Sequence, residues 1–352
     1  MAETGLDRSR EDNEMAITTT DQLEQYLLVK QMRVSKITPV SGGSSNYVWR
    51  VVTTEGQSML IKHAEPFLAA HRDVAFPLYR MDIEVHAIRT IPGLMPADET
   101  VRLPGLLDYD EENHVLRLED AGQRSLHDCY DDPRLDVRLV GENIGRWLAR
   151  LHKVTTDESI RCHFTHPVMK KMYRWNYENL AGALEKYGFD SALGERINAK
   201  YGALLDTDDV CVCHSDMWPG NILLGDTVGN GAMPQVTVID WEAARRGNAV
   251  TDIGHFAGDA WFLDRLRGGR GLLDAFLGAY SRERPLRQEE KERVLAQFGT
   301  HICFWPTVYR WMADKHKREA AVYGKAVLEN VESWNVQWFR NSDLEVLFRE
   351  ED

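Results

Sequence analysis

Two strand-to-loop junctions, close together in the chain, restrict its folding more than any other feature. The apolar strand Val210-Cys211-Val212-Cys213 runs into His214-Ser215-Asp216-Met217-Trp218-Pro219-Gly220-Asn221, which reads H-x-D-x-x-P-x-N. Nineteen residues after Asn221, the apolar segment Gln235 to Ile239 ends at Asp240-Trp241-Glu242. An acid at the end of a buried strand is costly unless a cation or hydrogen bonds compensate it. Two such junctions at hairpin distance therefore point to one shared polar site beside a small embedded sheet. Phosphoryl transfer needs that inventory: a carboxylate beside the attacking hydroxyl, and oxygen ligands for magnesium. On this reading Asp216 is the base, Asn221 and Asp240 are metal ligands, and Glu242 serves an ion directly or through water.

The hundred residues after a short leader read as a strand-rich lobe. Ser45 to Thr54 is dense in β-branched and aromatic residues, Glu55-Gly56-Gln57 turns the chain, and Ser58 to Ala64 returns. Ser41-Gly42-Gly43-Ser44-Ser45-Asn46 joins two expected strands, so the backbone around Gly42, Gly43 and Ser44 is placed to cover phosphates. Lys62 lies on the returning strand among apolar neighbours. Glu84 shares a helix with the stripe Leu78, Met81, Val85 and Ile88. A strand lysine paired with a helix glutamate is an arrangement kinases use to hold phosphates. His114 to Glu119 forms a further strand, which Asp120-Ala121-Gly122 ends.

Beyond it the chain turns helical. Asp132-Pro133 reads as an N-cap and first-turn proline, ahead of a stripe of Val137, Val140, Ile144, Leu148 and Leu151. Further helices are expected over Pro167 to Tyr187, Thr251 to Leu266 and most of Gln288 to Trp338, interrupted by the short strands Val210 to Cys213, Ile222 to Leu224 and Gln235 to Ile239. The expected class is α+β: a bilobal, protein-kinase-like fold with a β-rich N-lobe and a mainly α C-lobe holding a small sheet. Residues 1–20 read as a flexible leader, 21–120 as the N-lobe and 121–345 as the C-lobe.

Charge narrows the partners. A net charge of −13 without a basic stripe argues against nucleic acid and anionic lipid, and suits a neutral or cationic ligand. Apolar stretches are strand-sized, well short of the roughly 18 to 20 residues that span a bilayer. Five scattered cysteines and a polar start without an apolar signal core fit a cytoplasmic, reducing compartment.

In this order, Ser41-Gly42-Gly43, Asn46, Leu60-Ile61-Lys62-His63-Ala64, Asn221-Ile222-Leu223-Leu224 and Asp240-Trp241-Glu242 resemble the aminoglycoside phosphotransferase and choline kinase superfamily. Within it they look closest to the methylthioribose kinase branch and the fungal 4-hydroxytryptamine kinases. The resemblance covers roughly residues 35 to 265. It implies an ATP- and Mg2+-dependent transfer to a small-molecule hydroxyl, on an amino alcohol, hydroxylated amine or sugar-like acceptor. By the same resemblance Lys62 contacts the nucleotide phosphates with Glu84 orienting it, and the strand holding Leu118 and Glu119 becomes an adenine hinge. His214 and Asp252 then brace the catalytic loop. Two departures matter: the loop is G-G-S-S-N, shifting phosphate contact toward serine or asparagine side chains, and Glu242 stands where protein kinases carry glycine. Eleven residues separate Asp240 from Asp252, too few for a full activation loop, which argues for a small acceptor rather than a peptide.

Acceptor residues are expected after Asp252. Asp259, Trp261, Asp264, Trp305, Tyr309, Trp311 and Asp314 form an aromatic and acidic set suited to an amine, and also readable as helix packing. Arg245 and Arg246 are the alternative, for substrate oxygens, and also readable as surface arginines. Two competing functions stand beside the kinase. One is a catalytically silent nucleotide-binding module acting through protein contacts. The other is a metal site at Cys211, Cys213 and His214, which has no visible fourth ligand for zinc. The sequence leaves oligomeric state open.

Overall fold

Thr19 and Gln22 form a capping box: the Thr19 hydroxyl accepts the Gln22 N–H at 3.3 Å, and the Gln22 side chain accepts the Thr19 N–H at 3.1 Å. Helix α1 (Thr20–Val29) follows. Its Leu23, Tyr26 and Leu27 pack with Ile17 onto Trp49, Val51, Met59, Ile61 and Val115. Ile17 is fully buried, so residues 16–20, read above as the end of a leader, belong to the folded body. In a computed structural model the chain is described over residues 16–41, 43–96, 100–225, 234–308 and 312–349. These divide into two compact units.

The first unit runs to Arg89 and takes up Pro104–Asp120. After α1 come β1 (Val34–Pro39), β2 (Tyr47–Thr53) and β3 (Ser58–His63), then a small antiparallel pair, β4 (Phe67–Leu68) and β5 (His71–Ala75). Helix α2 (Arg80–Leu94) follows, and after β6 (Val101–Arg102) the chain returns with β7 (Leu106–Asp110) and β8 (Val115–Glu119). The antiparallel sheet has the order β1-β2-β3-β8-β7. Along β2 burial alternates through Trp49, Val51 and Thr53, the period of a strand with one covered face. Lys62 sits opposite Val48 and Leu116 in the register.

Thr90–Leu103 belongs to the second unit, which corrects its assignment to the N-lobe. The cause is β6, which pairs in parallel with β11 (Val236–Val238), Val101 opposite Val236. On its other edge β11 pairs with β10 (Ile222–Leu224). Separately, β9 (Cys211–Cys213) pairs with β12 (Arg245–Gly247), Cys213 opposite Arg245. The rest is helical, mainly α3 (Val137–Val154), α4 (Pro167–Glu178), α5 (Val250–Leu266), α6 (Leu272–Glu283), α7 (Gln288–Phe304) and α8 (Asp314–Glu332).

Helix α3 starts four residues later than Asp132-Pro133 suggests. Asp132 is spent on the N–H and side chain of Arg134 and on Arg124. Asp136 caps the helix instead, accepting the Leu139 N–H at 3.0 Å. From there α3 packs closely on α6: a Cβ at Gly145 would lie 2.3 Å from the Phe276 carbonyl oxygen. Trp147, fully buried on α3, meets the buried Trp241 edge-on at 6.1 Å, so this helix fixes the Asp240-Trp241-Glu242 segment from below. Among the described residues no helix is long and apolar enough to cross a membrane.

Candidate active site

In the second unit, the loops after β9 and β11 are tied to each other at the backbone. Ile239 donates its N–H to the Asn221 carbonyl at 3.0 Å, and its own carbonyl accepts from His214 Nε2, also at 3.0 Å. His214 Nδ1 accepts the Asp216 N–H at 3.2 Å, so the two bonds require a ring protonated at Nε2. The His214 ring rests edge-on against Trp241 at 4.6 Å. Asn221 then donates from Nδ2 to the Asp216 carbonyl at 2.9 Å and to its carboxylate at 2.8 Å. A regular helix at this spacing would not bring Asp216 and Asn221 together in this way; the loop does.

Two residues here hold left-handed backbone without being glycine: Ser215 at φ 64° and Asp240 at φ 70°. Such geometry costs on the order of 1–2 kcal/mol per residue and persists only where its surroundings enforce it. Asp252, fully buried at the start of α5, enforces the first, accepting the N–H groups of His214 at 2.7 Å and Ser215 at 2.9 Å. His152 of α3 completes the brace, with Nε2 at 3.2 Å from Asp252 and Nδ1 at 2.9 Å from the Tyr280 hydroxyl. Burial pushes the Asp252 carboxyl up, but the bond and charge of His152, with His214 and the Ser215 N–H, hold it below the usual range. His152 was not singled out in the sequence. Its signal is a polar residue continuing the α3 stripe of Val140, Ile144 and Leu148.

Asp216 is shifted the other way. Burial raises its carboxyl above the ordinary range; the nearby Asp240 charge adds to this, while His255, His214 and the Asn221 bond oppose it. The donors fit magnesium, a hard ion that takes oxygen ligands. Asn221 keeps its amide oxygen clear of the bonds that use its nitrogen, Asp240 is half-buried, and Glu242 is buried two residues on.

In the first unit, Lys62 Nζ lies 2.8 Å from Glu84 Oε1, with Glu84 fully buried. The Asn46 side chain is committed elsewhere: its amide oxygen accepts from Arg80 Nε at 3.2 Å and Nη2 at 3.0 Å. Arg80 is fully buried and also reaches the carbonyls of Ser45, Glu65, Phe76 and Pro77. The Asn46 side-chain oxygen thus ties the glycine loop to Arg80, a partner the sequence reading did not single out. Gly43 and Ser44 are exposed, the Ser44 carbonyl accepting the Ala70 N–H at 3.0 Å; Gly42 lies outside the described residues. Leu118 is in an interior strand paired on both edges, and the Glu119 N–H is used on the Gly105 carbonyl at 2.8 Å. That leaves little of this strand's backbone for a base.

The acceptor set separates. Trp261 is core: it stacks on Tyr323 at 5.0 Å and donates to Asp343 at 2.8 Å. Asp264 holds the N–H groups of Gly271, Leu272 and Leu273, and Asp314 lies at the start of α8 near Lys317. Trp305 is half-buried against Trp175 and Phe304, while Tyr309 and Trp311 lie outside the described residues. Asp259 faces His255 and His301. Arg245 is buried with its guanidinium 4.8 Å over the Tyr173 ring, and Arg246 makes ion pairs with Glu158 and Asp209. The histidine beside the thiols of Cys211 and Cys213 is His152, not His214, and both its nitrogens are already bonded.

Residues 36–292 match the model of the phosphotransferase enzyme family. The 4-hydroxytryptamine kinase of Psilocybe cubensis is 27% identical over 343 residues, covering 91% of this chain and 94% of that protein. The solved macrolide 2'-phosphotransferase of Brachybacterium faecium is similar with a TM-score of 0.53 at 15% identity, over 88% of this chain and 98% of that one. A Plasmodium vivax ethanolamine kinase gives 0.52 at 12% identity, over 91% of each chain. The two structural likenesses carry the fold, protein-kinase-like with a β-rich N-terminal part and a helical C-terminal part.

Proposed function

Because the chain belongs to the phosphotransferase enzyme family, we propose that this small-molecule kinase transfers the γ-phosphoryl group of ATP to the hydroxyl of a hydroxylated amine, with Asp216 as base. The observation that carries the assignment is the carboxylate of Asp216, raised in pKa and held by Asn221 on the loop that also fixes the residue before Asp240. As the acceptor oxygen attacks the γ-phosphorus, its proton passes to an Asp216 oxygen, the bond to the bridging oxygen breaks, and ADP leaves. A base whose pKa is lifted toward working pH accepts that proton more readily.

Asn221, Asp240 and Glu242 are the residues that would hold magnesium, which when bound neutralises phosphate charge. Lys62, oriented by Glu84, supplies a cationic contact for the phosphates, with the backbone of the glycine loop around Gly43 and Ser44. His214 and Asp252 position the loop and touch no reacting atom. Of the residues given these roles, the nucleotide contacts lie in the first unit and the base and metal ligands in the second.

Two things support an amine. The net charge of −13 favours a cationic acceptor, and the relative aligned over most of both chains is a 4-hydroxytryptamine kinase. Substrate-dependent ADP release, with product mass, should be measured for 4-hydroxytryptamine, ethanolamine, choline and methylthioribose. A hydroxylated amine is expected to give the highest kcat/KM. Preference for the sugar would overturn the amine class while leaving phosphoryl transfer standing.

A further inference from the structure

Helices α5 and α7 bring together three metal-binding side chains, none of them the proposed base or a proposed magnesium ligand. His255 and Asp259 stand four residues apart on one face of α5, and His301 comes from α7. Asp259 Oδ2 lies 3.3 Å from His255 Nε2 and 3.4 Å from His301 Nε2. All three ligand atoms fall within 4.8 Å of one another. A tetrahedral ion with nitrogen and oxygen ligands at about 2.0–2.1 Å spaces neighbouring ligands roughly 3.3–3.4 Å apart, the separation found at both Asp259 edges.

Three further features point to a ligand. His301 is 1% exposed, its Nδ1 has no hydrogen-bond partner among the described residues, and its Nε2 has only the Asp259 carboxylate, at 3.4 Å. A buried imidazole left this way is unfavourable unless something else uses it. His255 Nδ1 lies 3.0 Å from the Tyr173 hydroxyl, so a proton on Nδ1 has an acceptor and Nε2 is left to coordinate, as outer partners of metal-bound histidines do. Finally, a Cβ at Gly258 would come within 2.5 Å of His301 Cδ2. The missing side chain is what lets that ring lie against α5 beside Asp259.

We propose that His255, Asp259 and His301 form a three-ligand site for a borderline divalent transition metal, zinc foremost, with a fourth position for water. Two imidazoles and one carboxylate suit zinc and are a poor set for magnesium, which prefers oxygen. The site is therefore separate from the Asn221 and Asp240 oxygens. The bound ion would tie α5 to α7 at a histidine whose charge acts on Asp216.

The full chain, freed of metal with a chelator, should be titrated with zinc and, separately, with cobalt(II). One equivalent of zinc is expected to bind and to resist excess magnesium. The cobalt complex should show the visible bands of a four-coordinate nitrogen and oxygen site, without thiolate charge transfer. His301→Gln and Asp259→Asn should each weaken zinc binding at least about tenfold, while the Cys211→Ser, Cys213→Ser double variant keeps it. Thiolate charge transfer in the wild-type cobalt complex would move the metal to the cysteines and overturn the assignment. So would an affinity unchanged in His301→Gln, or no zinc uptake by the wild-type chain, a reading that needs no variant to fold.

Discussion

His214 Nε2 donates to the Ile239 carbonyl at 3.0 Å, linking the end of one strand to the residue that precedes Asp240 in the other loop. That bond holds the backbone leading into Asp240. Replacing His214 by Ala removes the bond, takes away the ring packed on Trp241, and leaves the Asp216 N–H without its acceptor. The variant should lose about 2–4 kcal/mol of stability, seen as a lower thermal midpoint. Turnover, assayed below that midpoint, should also fall, because Asp240 is no longer held in its left-handed conformation. A variant with wild-type turnover would show that the link does not position the carboxylate.

Asp216→Asn separates chemistry from folding. Turnover should fall by roughly 10²–10⁴, with nucleotide affinity kept. Stability should move the opposite way. The folded state raises the Asp216 pKa, so it binds the proton more tightly than the unfolded chain does. Stability is therefore lost as pH rises through that range, and the ionised carboxylate carries the full penalty at neutral pH. Asn is neutral and still offers an oxygen to Asn221. A thermal midpoint at or above wild type, measured at pH 7 without magnesium, is the expected result; a clear drop would contradict it.

The same shift sets a pH profile. Without nucleotide and magnesium, the acid limb of the Asp216 titration should lie above that of an ordinary aspartate, near 3.9. Burial and the Asp240 charge are the causes. Asp240→Asn should therefore move the limb downward in nucleotide-free proton titration of Asp216 by NMR, a readout that survives loss of activity. A limb that stays in place would remove Asp240 from the shift.

Much of this site was legible because its chemistry lies in contiguous stretches: His214 through Asn221, and Asp240 through Glu242. What closes the site is not contiguous. Arg80 claims Asn46 across 34 positions, and His152 reaches Asp252 across 100; no local pattern announces either. Trp261 was readable as pocket or core because helical spacing cannot tell a core ring from a lining one, and its partners, Tyr323 and Asp343, lie far along the chain. Strand β6 is two residues long, too short for any period, yet it carries 90–103 into the second unit. Helix α1 is a different case. Thr19 and Gln22 spell its cap, and Leu23, Tyr26 and Leu27 its buried face, so composition masked a signal that was present.

Lys62 and Asn46 test how the first unit serves the nucleotide. Lys62→Met removes the cation 2.8 Å from a fully buried Glu84, and losing one partner of a buried pair typically costs about 3–5 kcal/mol. Adding Glu84→Gln takes away the buried charge, so the double variant should recover much of the stability. Its ATP affinity should stay low, because the phosphate contact is still missing. Asn46→Ala is expected to behave differently. It withdraws the oxygen that accepts two Arg80 bonds, a loss of roughly 1.5–3 kcal/mol for a charged donor, and lets the glycine loop shift. The thermal midpoint should drop, and ATP affinity should weaken less than in the Lys62 variants. Calorimetric ATP binding, set beside unfolding for all three proteins, decides it: if the double variant regains affinity along with stability, Lys62 is only a structural partner of Glu84 and its phosphate role is lost.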